Sequence, residues 1–392
     1  MVNLDEYVKD IFNKMDEDEE NMKKLNIMTI GKTGTGKSTL INAIFGEEIV
    51  ETGVGKPVTQ NLKKIELAGN PVSIYDTRGI ELDSEGQKEA RDEIVREIKK
   101  RADLDDSDER IHIIWYCINA GSNRIEEYEI ELIEKLQSIA PVIIVLTQSL
   151  GKEAVEFAKY IKSEDIKYDG LITVLAKDYQ LGGMEIKAHG LKDLANMTYN
   201  MLEEGVRRSF INAQRVDLEK KEEISTEYVK KAIKASAVVG ITPIPFSDAG
   251  VLVPLQTMML GKITTAYGLH KEDIVKTVLS GVIGMGGTTI IGRGIVSNAL
   301  KFIPGGNIVG SAISGSTAGI VTGALGYSYI KVLNYIAKEN NAGRKVSNDI
   351  IVSLMKKYFE ENSSKGKLLL KGLGIKEDES MDELPDIDEK DQ

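Results

Sequence analysis

Residues 25–46 read LNIMTIGKTGTGKSTLINAIFG. An apolar run at 25–30 leads into a glycine-rich turn, and an amphipathic helix pattern opens at Lys37. Gly31, Gly36, Lys37 and Ser38 fit the spacing G-x-x-x-x-G-K-[ST]. A strand before it and a helix after it are the context that a phosphate-binding loop requires. The chemistry explains the spacing. Backbone N–H groups of Gly34, Thr35, Gly36, Lys37 and Ser38 can converge on a β-phosphate, because glycine permits the tight curl. The helix that starts near Lys37 adds its positive N-terminal dipole. Lys37 bridges the β- and γ-phosphates, and Ser38 supplies a hydroxyl to Mg²⁺. Lys32, Thr33 and Thr39 complete the candidate nucleotide-binding stretch 31–39.

The phosphate loop implies an α/β fold, and the chain on its C-terminal side reads that way. Further strand candidates are KKIELA (63–68), PVSIYD (71–76), IHIIWYCIN (111–119), PVIIVLT (141–147) and LITVLA (171–176). Helical patterns fall at 37–46, 85–103, 124–138 and 151–163. Residues 143–146 are apolar on both faces, as central strands of a parallel sheet must be. The first pair, joined at Gly69-Asn70, is spaced as an antiparallel hairpin. The rest predicts a mostly parallel sheet flanked by helices, with right-handed crossovers.

IYDTRG supplies the second part of the site. Asp76 ends an apolar strand, and Gly79 follows at D-x-x-G spacing. Asp76 is predicted to hold Mg²⁺ through water, and the Gly79 N–H to meet the γ-phosphate. Thr59, in GKPVTQN between the two motifs, is the candidate switch threonine, with Thr52 as the alternative. Its hydroxyl would complete the Mg²⁺ shell only while a γ-phosphate is present. The catalytic candidates are therefore Lys37, Thr59 and Gly79, and the metal candidates Ser38, Thr59 and Asp76.

Strand signals stop near residue 190, and an all-α region follows. Residues 191–231 read as helical and charged, and 235–335 are rich in Ala, Gly, Ile and Val. Residues 303–330 carry no charge over 28 positions, long enough to span a bilayer, yet they include seven glycines. Gly315, Gly319 and Gly323 recur every fourth residue, which lets helices approach closely. The expectation is a helical hairpin that buries Ile308, Ile313, Ile320 and Leu325 against helices at 248–267 and 274–300. A last amphipathic helix is predicted at 347–361.

At the other end, Leu4, Tyr7, Val8, Ile11, Phe12 and Met15 form one helical stripe. The chain has 392 residues, 42% hydrophobic and 28% charged, which excludes disordered and collagen-like classes. Its single cysteine, Cys117, excludes an intramolecular disulfide and fits cytosolic folding. Residues 1–20 have no apolar signal core, so no secretory signal is expected. Charge is uneven: residues 1–24 hold eight acids and four bases, residues 376–392 nine and two, so 25–375 sum to zero within the net −11. A neutral body between acidic ends argues against nucleic acid as a partner. The acidic end reads as solvating tail.

Together GKTGTGKST, a loop threonine, DTRG and a strand ending in LTQS resemble a GTPase of the translation-factor-related class. The likeness is to the Era-like and septin-like branches and to the immunity-related GTPases, over roughly 25–205. ITPIPFSDAGVLVPLQTMMLGKITTAYGL, within 206–365, is similar to the bacterial DUF697 domain. The resemblance implies binding of GTP and GDP with Mg²⁺. It also exposes departures. The guanine-reading motif N/T-K-x-D should follow the fifth strand, where this chain has Thr147, Gln148, Ser149 and Leu150. The carboxylate that pairs with guanine is missing, and Gln148 replaces the lysine that packs over the base. Ala176 and Lys177 still match the loop whose backbone meets the guanine oxygen, and Asp178 lies nearby as a substitute carboxylate. Ile80 follows D-x-x-G where some GTPases carry a water-orienting glutamine, so hydrolysis needs another group or a partner. Gly34 stands where potassium-activated relatives carry Asn, and no strong K⁺ requirement is expected.

The organisation expected from sequence is an N-terminal helix and acidic linker (1–24), a G domain (25–205), a helical domain (206–365) and an acidic tail (366–392). The leading reading is a Mg²⁺-dependent GTP-binding switch with slow hydrolysis, coupled to the helical domain. Two alternatives stand beside it: a nucleotide-gated assembly or membrane-binding protein, and a base-indifferent NTPase or ATPase. Self-association or membrane contact would run through 235–335, with the protein cytoplasmic and peripheral at the inner face of the membrane.

Overall fold

The computed structural model describes residues 4–46, 56–57, 62–67, 70–77, 88–102, 108–239, 244–245, 249–269, 272–283, 312–313 and 315–374. The chain forms two compact units, Asn21–Asp217 and a second one made of Met1–Glu20 with Leu218–Gln392.

The first unit is built on a seven-stranded sheet. Its strands are β1 (Leu25–Ile30), β2 (Lys56–Pro57), β3 (Leu62–Glu66), β4 (Val72–Thr77), β5 (Ile113–Asn119), β6 (Val142–Thr147) and β7 (Gly170–Thr173), in the order β2-β3-β4-β1-β5-β6-β7. Pairs from β4 through β7 are parallel, and β2-β3 and β3-β4 are antiparallel. The hairpin expected from Asn70 is the β3-β4 pair. Every residue of β1 and β6 is buried, because helices cover both faces. On one face Ile27, Trp115, Ile143 and Val145 meet Leu40, Ile44 and Phe45 of the helix Lys37–Phe45. On the other, Met28, Tyr116, Ile144 and Leu146 meet Ile94, Ile133 and Phe157 from the helices Lys88–Ala102, Glu127–Gln137 and Gly151–Ser163. The chain order reverses on either side of β1, which opens a crevice at its carboxyl end.

Two details differ from the sequence reading. A short hairpin, β8 (Tyr179–Leu181) with β9 (Met184–Ile186), turns at Gly182-Gly183. The glycine pair between alternating residues is the signal for it. The helix Glu204–Ala213 also belongs to the sheet unit, not to the helical one, because Val206, Phe210 and Ala213 complete the face that holds Trp115. The sheet unit runs to Asp217.

In the second unit the N-terminal helix Leu4–Glu20 is a structural member. Tyr7, Val8, Ile11 and Met15 are all at most 2% exposed, and the first three join a core with Leu260, Ile263, Val275 and Leu279. Residues 315–341 form one continuous helix, Gly315–Asn341. It packs chiefly on the helices Leu218–Val239 and Asn348–Ser364, and only secondarily on Ala249–Ala266. The expected neighbour at 248–267 is present, residues 284–300 of the other expected neighbour lie outside the described residues, and the unforeseen Leu218–Val239 is the principal one. Close approach decides it: a Cβ on Gly326 would lie 2.6 Å from Val229 Cγ2. Ile320 and Leu325 are buried as expected, while Ile308 and the Ile313 side chain fall outside the described residues. Polar bonds cross this core. Thr322 bonds Ser236 at 2.9 Å and Gln256 at 3.3 Å, and Thr264 bonds Tyr329 at 2.8 Å. Among the described residues no helix is long and apolar enough to cross a membrane.

Candidate nucleotide site

The phosphate loop leaves β1 at its carboxyl end and enters the helix Lys37–Phe45 through Gly36, whose φ is 86°. Gly31 shows why glycine is needed at the start. A Cβ there would lie 2.3 Å from the backbone oxygen of Cys117 on β5. Inside the loop the Thr35 hydroxyl donates to the Lys32 carbonyl at 2.9 Å. The Lys32 ammonium reaches outward to Glu129 at 3.3 Å and lies 5.2 Å from the Tyr128 ring centroid. Thr33, Gly34 and Ser38 are exposed on the loop and first helical turn, and Thr39 is half-buried.

Lys37 is 7% exposed. Its Nζ donates to the carbonyls of Gly31 and Lys32 at 2.8 and 3.0 Å. Burial pulls its pKa below the ordinary lysine value, and the Asp76 carboxylate acts the other way. Asp76 sits near the end of β4, the neighbour of β1. Burial raises its pKa, opposed by a hydrogen bond from Thr29 and by the charge of Lys37. The half-buried Asp76 carboxylate is an oxygen donor of the kind that a hard cation such as Mg²⁺ takes, while Lys37 and the helix N-terminus favour an anion such as phosphate. Of the metal candidates, Ser38 and Asp76 lie among the described residues, and both carry oxygen donors. Thr59 and Gly79, like Thr52, Arg78 and Ile80, lie outside the described residues.

The segment at the end of β6 is wired to the phosphate loop. The Thr147 hydroxyl sits 2.5 Å from the Thr35 carbonyl and 3.1 Å from that of Ile118. Gln148 Nε2 donates to the Gly34 carbonyl at 2.9 Å. The Ser149 carbonyl lies 3.2 Å from His189 Nε2, and His189 exchanges two backbone bonds with Leu175, each 3.0 Å. This neck presents half-buried Ala176 and exposed Lys177 beside Gln148's loop. Asp178 is already engaged: it accepts from Lys187 and from the Ala188 N–H, both at 2.8 Å. The Lys187 bond holds its carboxyl below the usual range. The substitute role suggested for Asp178 therefore competes with a formed ion pair. Sequence reasoning missed Thr29, Glu129 and His189. No local pattern marks them, because the partner of each lies far away in the sequence.

Residues 26–148 match the family described as 50S ribosome-binding GTPase. Residues 210–360 match a domain of unknown function, DUF697. Cell division control protein 10 of Candida albicans is 26% identical, over 37% of this chain and 48% of that protein. The tRNA modification GTPase MnmE of Treponema denticola is 30% identical, over 45% of this chain and 34% of that protein. A crystal structure of a probable GTP-binding protein engB is 20% identical, with a TM-score of 0.31, covering 45% of this chain and 97% of that one. The chain spans about half the length of the curated relatives it matches first. It carries a P-loop GTPase domain followed by a DUF697 domain.

Proposed function

We propose that this protein is a Mg²⁺-dependent GTP-binding switch with slow intrinsic hydrolysis, whose nucleotide state is read by the DUF697 unit. The observation that carries the reading is the phosphate loop itself, with buried Lys37 held on the Gly31 carbonyl and within the electrostatic reach of half-buried Asp76. Lys37 would neutralise the β- and γ-phosphates, the loop N–H groups would cradle them, and Ser38 and Asp76 would hold Mg²⁺. Bound Mg²⁺ supplies charge neutralisation and orientation of the phosphates. The γ-phosphate would order Thr59 and the segment 76–79, and the helical unit would respond to that order. Slow turnover follows from Ile80, which has no group to orient water.

Calorimetric titration of the full chain with GDP and a non-hydrolysable GTP analogue tests the reading. Lys37→Ala should abolish binding, since the phosphates lose their buried cation. Ser38→Ala should cost Mg²⁺-dependent affinity more than affinity measured in EDTA. Unchanged binding by Lys37→Ala would sink the proposal.

A second reading, a base-indifferent NTPase, is favoured by one observation: 147–150 carries no carboxylate, and Gln148 is directed to Gly34. Competition of GTP with ATP decides it, with a preference below about tenfold favouring the second reading. We also propose a cytoplasmic protein that self-associates or contacts the inner face of the membrane through 235–335. Retention of the protein in the pellet after carbonate extraction would show integral insertion and defeat peripheral attachment.

A further inference from the structure

Thr29 is fully buried on β1, two residues before the phosphate loop. The parallel register sets it directly opposite Asp76 on β4. Its Oγ1 donates to Asp76 Oδ1 at 2.7 Å. The next residue of β4 returns the tie, as Thr77 Oγ1 donates to the Thr29 carbonyl at 3.1 Å. Thr29 thus stands with a hydroxyl in a strand whose neighbours, Met28 and Ile30, are buried and apolar. A valine would fill the same volume without the desolvation that a buried hydroxyl incurs. What the hydroxyl adds is a fixed partner for one carboxylate oxygen. A carboxylate's terminal torsion is broad and soft, so one such bond sets the direction of the other oxygen.

We infer that Thr29 is the positioning residue of the metal-holding carboxylate: its hydroxyl locks Asp76 in the orientation that meets nucleotide-bound Mg²⁺. Outer partners of metal-holding groups act in this way, by removing rotational freedom from the group that faces the ion. The role is carried by the strand pairing, so it is in place before nucleotide arrives. The inference rests on the reading of the loop as a Mg²⁺-nucleotide site.

The test uses the full chain with Thr29→Val and Thr29→Ser, titrated with GDP in the presence of Mg²⁺ and again in EDTA. Thr29→Val should weaken Mg²⁺-dependent affinity by about tenfold or more. Its affinity in EDTA should equal that of the unaltered protein, because Lys37 and the loop N–H groups are untouched. Thr29→Ser keeps the donor and should restore most of the Mg²⁺ effect. An unchanged Mg²⁺ effect in Thr29→Val overturns the inference. So does an equal loss with and without Mg²⁺, which is the mark of a merely structural residue. A full Mg²⁺ effect in Thr29→Val would leave the nucleotide reading standing, whereas an unaltered protein indifferent to Mg²⁺ would overturn that reading as well.

Discussion

Gln148 reaches from the end of β6 to the carbonyl of Gly34, an Nε2 donor 2.9 Å from its acceptor. Its backbone holds φ at 51°, the left-handed region, to aim the side chain there. The residue that replaces a base-packing lysine in this chain therefore braces the phosphate loop through a neutral amide. Gln148→Ala should lower GDP affinity about two- to tenfold, the worth of one hydrogen bond. Gln148→Glu, which at neutral pH offers only acceptors to a carbonyl, should lose more. Gln148→Lys restores a donor and should recover affinity. Equal affinities across the series, by calorimetry, would contradict the brace.

Gly31 and Gly34 should respond differently to alanine. At Gly31 the new Cβ meets the Cys117 backbone at 2.3 Å, so the loop or the β1-β5 pairing must shift. Gly31→Ala should cost about 1–3 kcal/mol of stability and most nucleotide binding. At Gly34 nothing lies within 4 Å, and only its φ of 78° penalises a side chain. Gly34→Ala should cost about 1–2 kcal/mol from that strain alone. Chemical denaturation of both variants checks the order.

His112 supplies a pH-dependent term. Its Nδ1 accepts from the Asn26 N–H at 3.1 Å, which requires that nitrogen unprotonated. Burial, then Arg110, lowers its pKa, with Glu203 acting against them. A depressed folded value means the unfolded chain binds the proton more tightly. The stabilisation is complete above the unfolded value near about pH 6.5 and is lost as pH falls through the lower folded value. His112→Gln keeps an acceptor that does not titrate. The stability difference between the two proteins should therefore shift in favour of the variant between about pH 7 and pH 5. A difference flat with pH would refute this.

Turnover by the dilute protein should be slow, on the order of 10⁻⁴–10⁻² s⁻¹, as for unassisted small GTPases. Self-association or a partner should raise it. Phosphate release at several per second from a protein shown to be monomeric would contradict the role given to Ile80.

The N-terminal helix should be required by the unit it packs in. Ile11 is fully buried in a core with Leu260 and Ile263. Ile11→Ala should destabilise that unit by about 2–5 kcal/mol. Nucleotide binding by residues 31–38 should persist, because the sheet core uses none of these side chains. Urea unfolding followed by near-UV signal, alongside GDP titration, separates the two effects.

How much of this could be read beforehand follows from the range of each signal. The phosphate loop, the apolar strands and the stripe from Tyr7 to Met15 are written within short windows, where glycine tolerance, strand period and helix period act on neighbouring residues. So the strand-loop-helix unit around Lys37, the β3-β4 hairpin and the place of Asp76 were all legible. The pairing of Thr29 with Asp76 joins residues 47 positions apart, and that of Gln148 with Gly34 joins residues 114 apart. Such contacts depend on strand order and register, which a local pattern does not carry. The same holds for helix neighbours. A small-residue stripe announced that Gly315–Asn341 packs closely, yet only the assembled core chose Leu218–Val239 as its partner. Likewise the apolar face of Glu204–Ala213 asked for burial, and it was the open sheet face beside Trp115 that supplied it. Hydrophobic pattern states that a face must be covered. Which surface covers it is settled by shape and by the order in which the chain brings surfaces together, and that is a property of the tertiary structure alone.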